Sequence, residues 1–414
     1  MTFTRLSGLL PAISLAVGCG GGGVEVLAKP APGATVASID VSWNGKPLLK
    51  DSSTQMSVLS RNAQGGVVAG GPVTWTSSDT QVVRISSSGL ITALARTGTA
   101  TITATSDGKR GTADVPVWWL YQPRSTYAIK ELDVMKIKNP GSNRAIPILV
   151  RLPADAPGPL PVIFIVFPTN GAERIGDRWG KLFAAAGYAA INVGNQDPDL
   201  PSLCTALNVS NADCPNVLLP ERLSNARDVS VLLDSLATIS RRAGVAFDAS
   251  RVGVSGPSAG GAVVMYLAGA TVDVSPTVKG VSLADPRIRA FMAHSAPGTT
   301  TLDGSPSGFT STSWSHVAGP TMQQTSLGEE QERRELFNVM PPGDKYMALF
   351  NSGVSHQDVS GWFVDTQSDF YRLLTTNGVA FFDAYLNGAV DAKQWLTTNQ
   401  IGRGTKGSVQ MSSR

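Results

Sequence analysis

One short segment constrains the fold of this chain more than any other. An apolar run, Arg251-Val-Gly-Val-Ser-Gly, leads into Gly256-Pro-Ser-Ala-Gly260, and the small-residue stretch Ala259-Gly-Gly-Ala-Val-Val-Met-Tyr-Leu-Ala comes at once after it. The pattern predicts a strand, a sharp turn with Ser258 at its apex, and a helix. A side chain presented on such a turn sits on strained backbone, and bulk two residues to either side would block it. Gly256 and Gly260 leave that room. The turn lifts Ser258 clear of the sheet and aims the N–H of Ala259 at any carbonyl the hydroxyl attacks. Ser258 is therefore the candidate nucleophile, and Ala259 a candidate oxyanion-hole donor.

The flanking sequence places this turn in a layered fold. Leu160-Pro-Val-Ile-Phe-Ile-Val-Phe is a continuous apolar run of the kind found in a parallel strand buried on both faces. Trp179, Leu182, Phe183 and Ala186 then recur at helical spacing, stopped by Gly187, and Tyr188 to Val193 is the next strand. A helix from about Arg222 carries Ala226, Val229, Leu232, Leu233, Leu236 and Ile239 on one face. Further strands are predicted over 288–294, 320–325 and 346–350. For residues 118–414 the expectation is an α/β fold, an open and mostly parallel sheet with helices on both faces.

The first residues are a processing signal. Arg5 precedes an apolar stretch, Leu9 to Val17, that is too short to span a bilayer. Ala16-Val-Gly-Cys19 and the glycines 20–23 resemble a bacterial lipoprotein signal over residues 1–18, which implies a lipid on Cys19 and an N-terminal membrane anchor. An ordinary secretory signal is the alternative. Gly20 stands where inner-membrane retention would use aspartate, so an outer-membrane location, periplasmic or surface-facing, is expected. Both readings export the chain, and the sparse charge, 16% of residues, suits an exported protein. In that compartment Cys204 and Cys214 read as a disulfide. A net charge of +3, with no basic cluster interleaved with aromatics, argues against a nucleic-acid partner.

Residues 19–34 form a Gly/Pro-rich linker. Beyond it, Val73-Thr-Trp-Thr-Ser-Ser and Thr99-Ala-Thr-Ile-Thr-Ala-Thr alternate apolar and polar residues, as in a small antiparallel sandwich. Together with Ser88-Gly-Leu-Ile-Thr-Ala-Leu, these segments resemble the bacterial immunoglobulin-like domain of group 2 over residues 35–117. The resemblance implies a core position for Trp75 and a display role. Trp118, Trp119 and Tyr121 are expected to seal the junction between the sandwich and the α/β domain.

The turn at Ser258 resembles the nucleophile turn of the α/β-hydrolase superfamily, and that resemblance implies an acid and then a histidine, each after a later strand. Histidine occurs only at 294, 316 and 356. His356 lies in Asn351-Ser-Gly-Val-Ser-His-Gln-Asp, directly after the strand ending at Phe350, and is the candidate base. His294 ends a strand at that edge and is expected to line the pocket; His316 is set aside. Glu329 is the favoured acid, with Glu330 and Asp303 as alternatives. Asp344 and Asp285 precede their strands and so belong to the wrong end. The loop Phe167-Pro-Thr-Asn-Gly-Ala is expected to supply the second oxyanion donor, from Gly171 or Asn170, with Gly171 preferred. The segment 197–220, stapled by its cysteines, is expected to form a pocket wall.

Arg251-Val-Gly-Val-Ser-Gly-Pro-Ser-Ala-Gly-Gly, and Pro341-Pro-Gly-Asp-Lys-Tyr with Gly353-Val-Ser-His after it, resemble the α/β-hydrolase superfamily. Within it, the dienelactone-hydrolase-like and platelet-activating-factor-acetylhydrolase-like esterases are most similar. The chain departs from them in having Thr169-Asn170 where His-Gly is common, and Ser326-Leu-Gly-Glu where the acid is usually aspartate. The resemblance implies a serine hydrolase that cleaves carboxylic esters through an acyl-enzyme, with no metal or organic cofactor. A small or polymeric ester is the expected substrate. Action on a polyester or an acylated polysaccharide, cleavage of amides, and an inactive surface adhesin are the alternatives.

Overall fold

The computed structural model describes residues 35–45, 48–95, 97–123, 125–142, 144–167, 177–194, 197–301, 304–351, 353–360, 369–405 and 409–414. The signal segment, Cys19 and the linker lie outside them.

Residues 38–118 form ten strands among the described residues, β1 (Ser38–Ser42) to β10 (Lys109–Trp118). The strand β9 (Gly98–Ser106) shows why this part is a sandwich. Its Ala100, Ile102 and Ala104 are fully buried, while Thr99, Thr101, Thr103 and Thr105 face outward. That period of two gives the layer one apolar face, which packs with Val83, Ile91, Val115 and Val117. Trp75, expected in the core, is half-buried and packs against its edge.

The junction is sealed as expected. The rings of Trp118 and Trp119 lie 6.4 and 5.7 Å from that of Trp395. The Trp119 backbone N–H donates to Gln400 Oε1 at 3.2 Å, and the Tyr121 hydroxyl to Asp383 Oδ2 at 2.5 Å. The buried Tyr188 hydroxyl donates to the same carboxylate.

The rest of the chain builds one ten-stranded sheet from β11 (Ile129–Glu131), β12 (Met135–Lys138), β13 (Ala145–Pro153), β14 (Leu160–Val166), β15 (Ala189–Val193), β16 (Phe247–Pro257), β17 (Ile288–His294), β18 (Thr321–Ser326), β19 (Lys345–Phe350) and β20 (Val409–Ser413). The order is β11-β13-β15-β14-β16-β17-β18-β19-β20, with β12 also paired to β13. From β15 to β19 the strands run parallel; β13 and β20 flank them antiparallel. Every residue of β14 is buried. Val162, Phe164 and Val166 pack on one face with α3 (Pro220–Asp234) and α5 (Ala259–Leu267). Ile163 and Ile165 pack on the other with α1 (Asp177–Ala185) and α8 (Asp369–Leu386). This double coverage explains the unbroken apolar run.

One detail differs from the sequence-based picture. The helix predicted from Arg222 through Ile239 is two helices. After α3 the backbone leaves helical geometry at Ser235 (φ −93°, ψ 2°), and α4 (Leu236–Ala243) begins at the next residue. All six expected apolar side chains nevertheless lie in the core. In the 197–220 segment, a helix α2 (Leu200–Ala206) and a disulfide between Cys204 and Cys214 pack Leu203, Leu207 and Val209 into the core. The segment rests on α3 and on residues 274–278, with the Leu218 N–H donating to Val274 O at 2.7 Å.

The topology also marks where a ligand would bind. The chain passes from β14 to β15 on one side, then returns across β14 to β16 and continues outward through β19. Such a reversal opens a crevice at the carboxyl ends of the strands on either side of it. Ser258 comes directly after β16 at that crevice. Among the described residues, no helix is long and apolar enough to cross a membrane.

Candidate active site

Ser258 has φ 54° and ψ −122°, outside the regions a side-chain-bearing residue prefers. Such a conformation costs about 1–3 kcal/mol and persists only where the surroundings impose it. Here they do. The Ser258 N–H donates to His294 O at 2.7 Å, and α5 starts at the next residue. A Cβ on Gly260 would lie 2.1 Å from Val166 O, and one on Gly256 only 2.6 Å from Gly260 O and 2.8 Å from Val166 O. The glycines thus do more than clear space around the serine: the end of β14 closes directly onto them. Ala259 is the first residue of α5, so its N–H has no acceptor within the helix ladder.

At the same edge, two loops meet. His356 opens α7 (His356–Ser360), which packs back from β19 onto β18. Its Nδ1 lies 2.8 Å from Oε1 of Glu329, which ends the 3-10 turn Leu327–Glu329 directly after β18. The hydroxyls of Thr325 and Ser326 donate to Glu329 Oε2 at 3.4 and 3.3 Å. Arg333, in α6 (Glu330–Val339), places Nη1 3.6 Å from the same oxygen. Burial alone would raise the Glu329 carboxyl. The His356 hydrogen bond, the Arg333 charge and the Ser295 hydroxyl outweigh it and hold the group below its ordinary value. Glu329 is therefore a carboxylate at neutral pH.

The other singled-out residues sort by position. His294 does not line a pocket; it is fully buried beneath the elbow. Its ring stacks on Trp179 at 4.1 Å, Nε2 lies 3.0 Å from Ser255 Oγ, and burial lowers it to about 3, so it is neutral. His316 is exposed and precedes β18, at the opposite edge. Asp344 pairs with Lys393 at the amino end of β19, and Asp285 with Arg287, consistent with setting both aside. Glu330 is the first residue of α6. Gly171, Asn170 and Asp303 lie outside the described residues. Among those described, no group of His, Cys, Asp or Glu could hold a metal ion.

Sequence reasoning passed over Arg333. The available signal was its spacing, four residues after Glu329 at the start of a helix, where an i,i+4 pair can form.

Residues 35–117 match the family model of the bacterial Ig-like domain (group 2). The N-terminal sandwich is an Ig-like domain. A search of curated proteins finds no match to the chain.

Proposed function

We propose that this chain is an exported serine hydrolase of the α/β-hydrolase type that cleaves carboxylic esters. The observation that carries this reading is the 2.8 Å contact of His356 Nδ1 with the Glu329 carboxylate at the sheet edge where strained Ser258 stands. Strands two places apart are about 10 Å from each other. One imidazole with a hydrogen bond of about 3 Å at each nitrogen covers most of the gap from the end of β18 to that of β16.

The chemistry rests on these positions. Glu329 accepts the Nδ1–H of His356 and so leaves Nε2 as the acceptor. Ser258 Oγ attacks the ester carbonyl while Nε2 takes its proton. The Ala259 N–H, with a second donor assigned to Gly171, stabilises the oxyanion. His356 then protonates the departing alcohol, leaving an acyl group on Ser258. Water, deprotonated by the same imidazole, releases the carboxylic acid and restores the serine. The imidazolium formed at each stage faces the Glu329 carboxylate. Export and attachment through a lipid on Cys19 rest on the N-terminal signal.

A series of p-nitrophenyl esters, from acetate to long acyl chains, tests this on the wild type and Ser258→Ala. Hydrolysis by the wild type alone supports the reading, and the chain-length optimum reports the depth of the acyl site. Equal rates from both proteins, or none from either, would sink it.

A further inference from the structure

Arg333 is 7% exposed. A buried guanidinium is tolerated only where its donors are used. Its Nε donates to Ala296 O at 2.5 Å and its Nη1 to Glu329 O at 2.6 Å. Ala296 belongs to an unusual turn after β17. Ser295 has φ 45°, and its N–H donates to Gln324 O at 2.6 Å. The preceding carbonyl, that of His294, holds the Ser258 N–H at 2.7 Å. The same turn abuts α5, because a Cβ on Gly261 would lie 2.9 Å from that of Ala296. A continuous chain of contacts therefore runs from Ser258 through the 294–296 turn to Arg333, then to Glu329 and His356.

We propose that Arg333 is a positioning residue that locks the turn behind Ser258 to the acid–base pair, a role that rests on the assignment of Ser258, His356 and Glu329 as the reacting set. Its two hydrogen bonds fix how far the elbow stands from the acid. Its charge favours the Glu329 carboxylate and opposes the imidazolium formed on His356. Two carboxylates beside this cluster, among the described residues, hold partners of their own. Glu332, on α6, receives the Thr300 N–H and hydroxyl, each at 3.0 Å. Asp358, on α7, receives the Ser355 hydroxyl at 2.7 Å. His294 beneath the turn is neutral. Among the described residues, Arg333 is thus a buried cation held against Glu329.

The test compares Arg333→Met and Arg333→Lys in the full chain, using kcat and KM for a p-nitrophenyl ester alongside thermal melting. Arg333→Met should lower kcat by about 30-fold or more with KM nearly unchanged. Arg333→Lys keeps the charge but not the two-carbonyl grip, and should still lose kcat with KM nearly unchanged. A kcat in Arg333→Met that falls only as far as the folded fraction does would overturn the proposal. Should Arg333→Met fail to fold, Arg333→Lys with wild-type kcat would overturn it equally. Activity retained by Ser258→Ala would instead remove the assignment on which it rests.

Discussion

Replacing Glu329 by Gln keeps the length of the side chain and removes the charge that faces His356. Its effect can be worked out from the groups around the two oxygens. Oε2 is approached by three donors, the hydroxyls of Thr325 and Ser326 and the Arg333 guanidinium. An amide placed there turns its oxygen toward them and its NH2 toward His356 Nδ1, which is 2.8 Å from the present Oε1. That NH2 can only donate, so the imidazole must carry its own proton on Nε2. In that tautomer it cannot take the proton of Ser258. Loss of the correct tautomer in a triad of this kind lowers kcat by about 10⁴, equivalent to about 5 kcal/mol at 1.36 kcal/mol per tenfold. KM should change little, since the carboxylate does not face the substrate. The assay is kcat and KM on a short p-nitrophenyl ester, with circular dichroism to confirm the fold. A folded Glu329→Gln protein with kcat within tenfold of wild type would refute the assignment of Glu329 as the acid.

Two further outcomes concern the elbow and the groups beneath it. His294 is held neutral with a value of about 3, against about 6.5 when unfolded, so the unfolded chain binds a proton in that window and the folded chain does not. Its contribution is therefore intact above about pH 6.5 and lost as pH falls, by about 2 kcal/mol at pH 5. Urea titrations at pH 7.5 and 5 should show this loss in the wild type and not in His294→Phe; equal losses in both would place the effect elsewhere. Gly260→Ala would put a methyl group 2.1 Å from Val166 O and should destabilise the protein by about 3 kcal/mol or more. A variant melting within a degree or two of wild type would show that β14 does not press on the elbow.

The residue order around Ser258 determined the elbow, because strand, turn and helix there depend on neighbours only a few positions away. Glycines where the backbone must come close, and small residues in a helix buried all round, are chosen by that local geometry. The alternation of β9, the apolar run of β14 and the loop position of His356 were legible for the same reason. Chain order offered three carboxylates as partners for His356. The contact with Glu329 depends on α7 packing back onto β18, which chain order does not show. Of Arg333, only the i,i+4 spacing from Glu329 was legible, because two of its partners are backbone carbonyls and one of them, in Ala296, is 37 residues away. The burial of His294 was hidden likewise, since the Trp179 ring that covers it comes from α1. Local preference selects each strand, turn and helix. Which side chains meet across the edge of the sheet depends on how separately formed elements pack, and only the tertiary structure decides that.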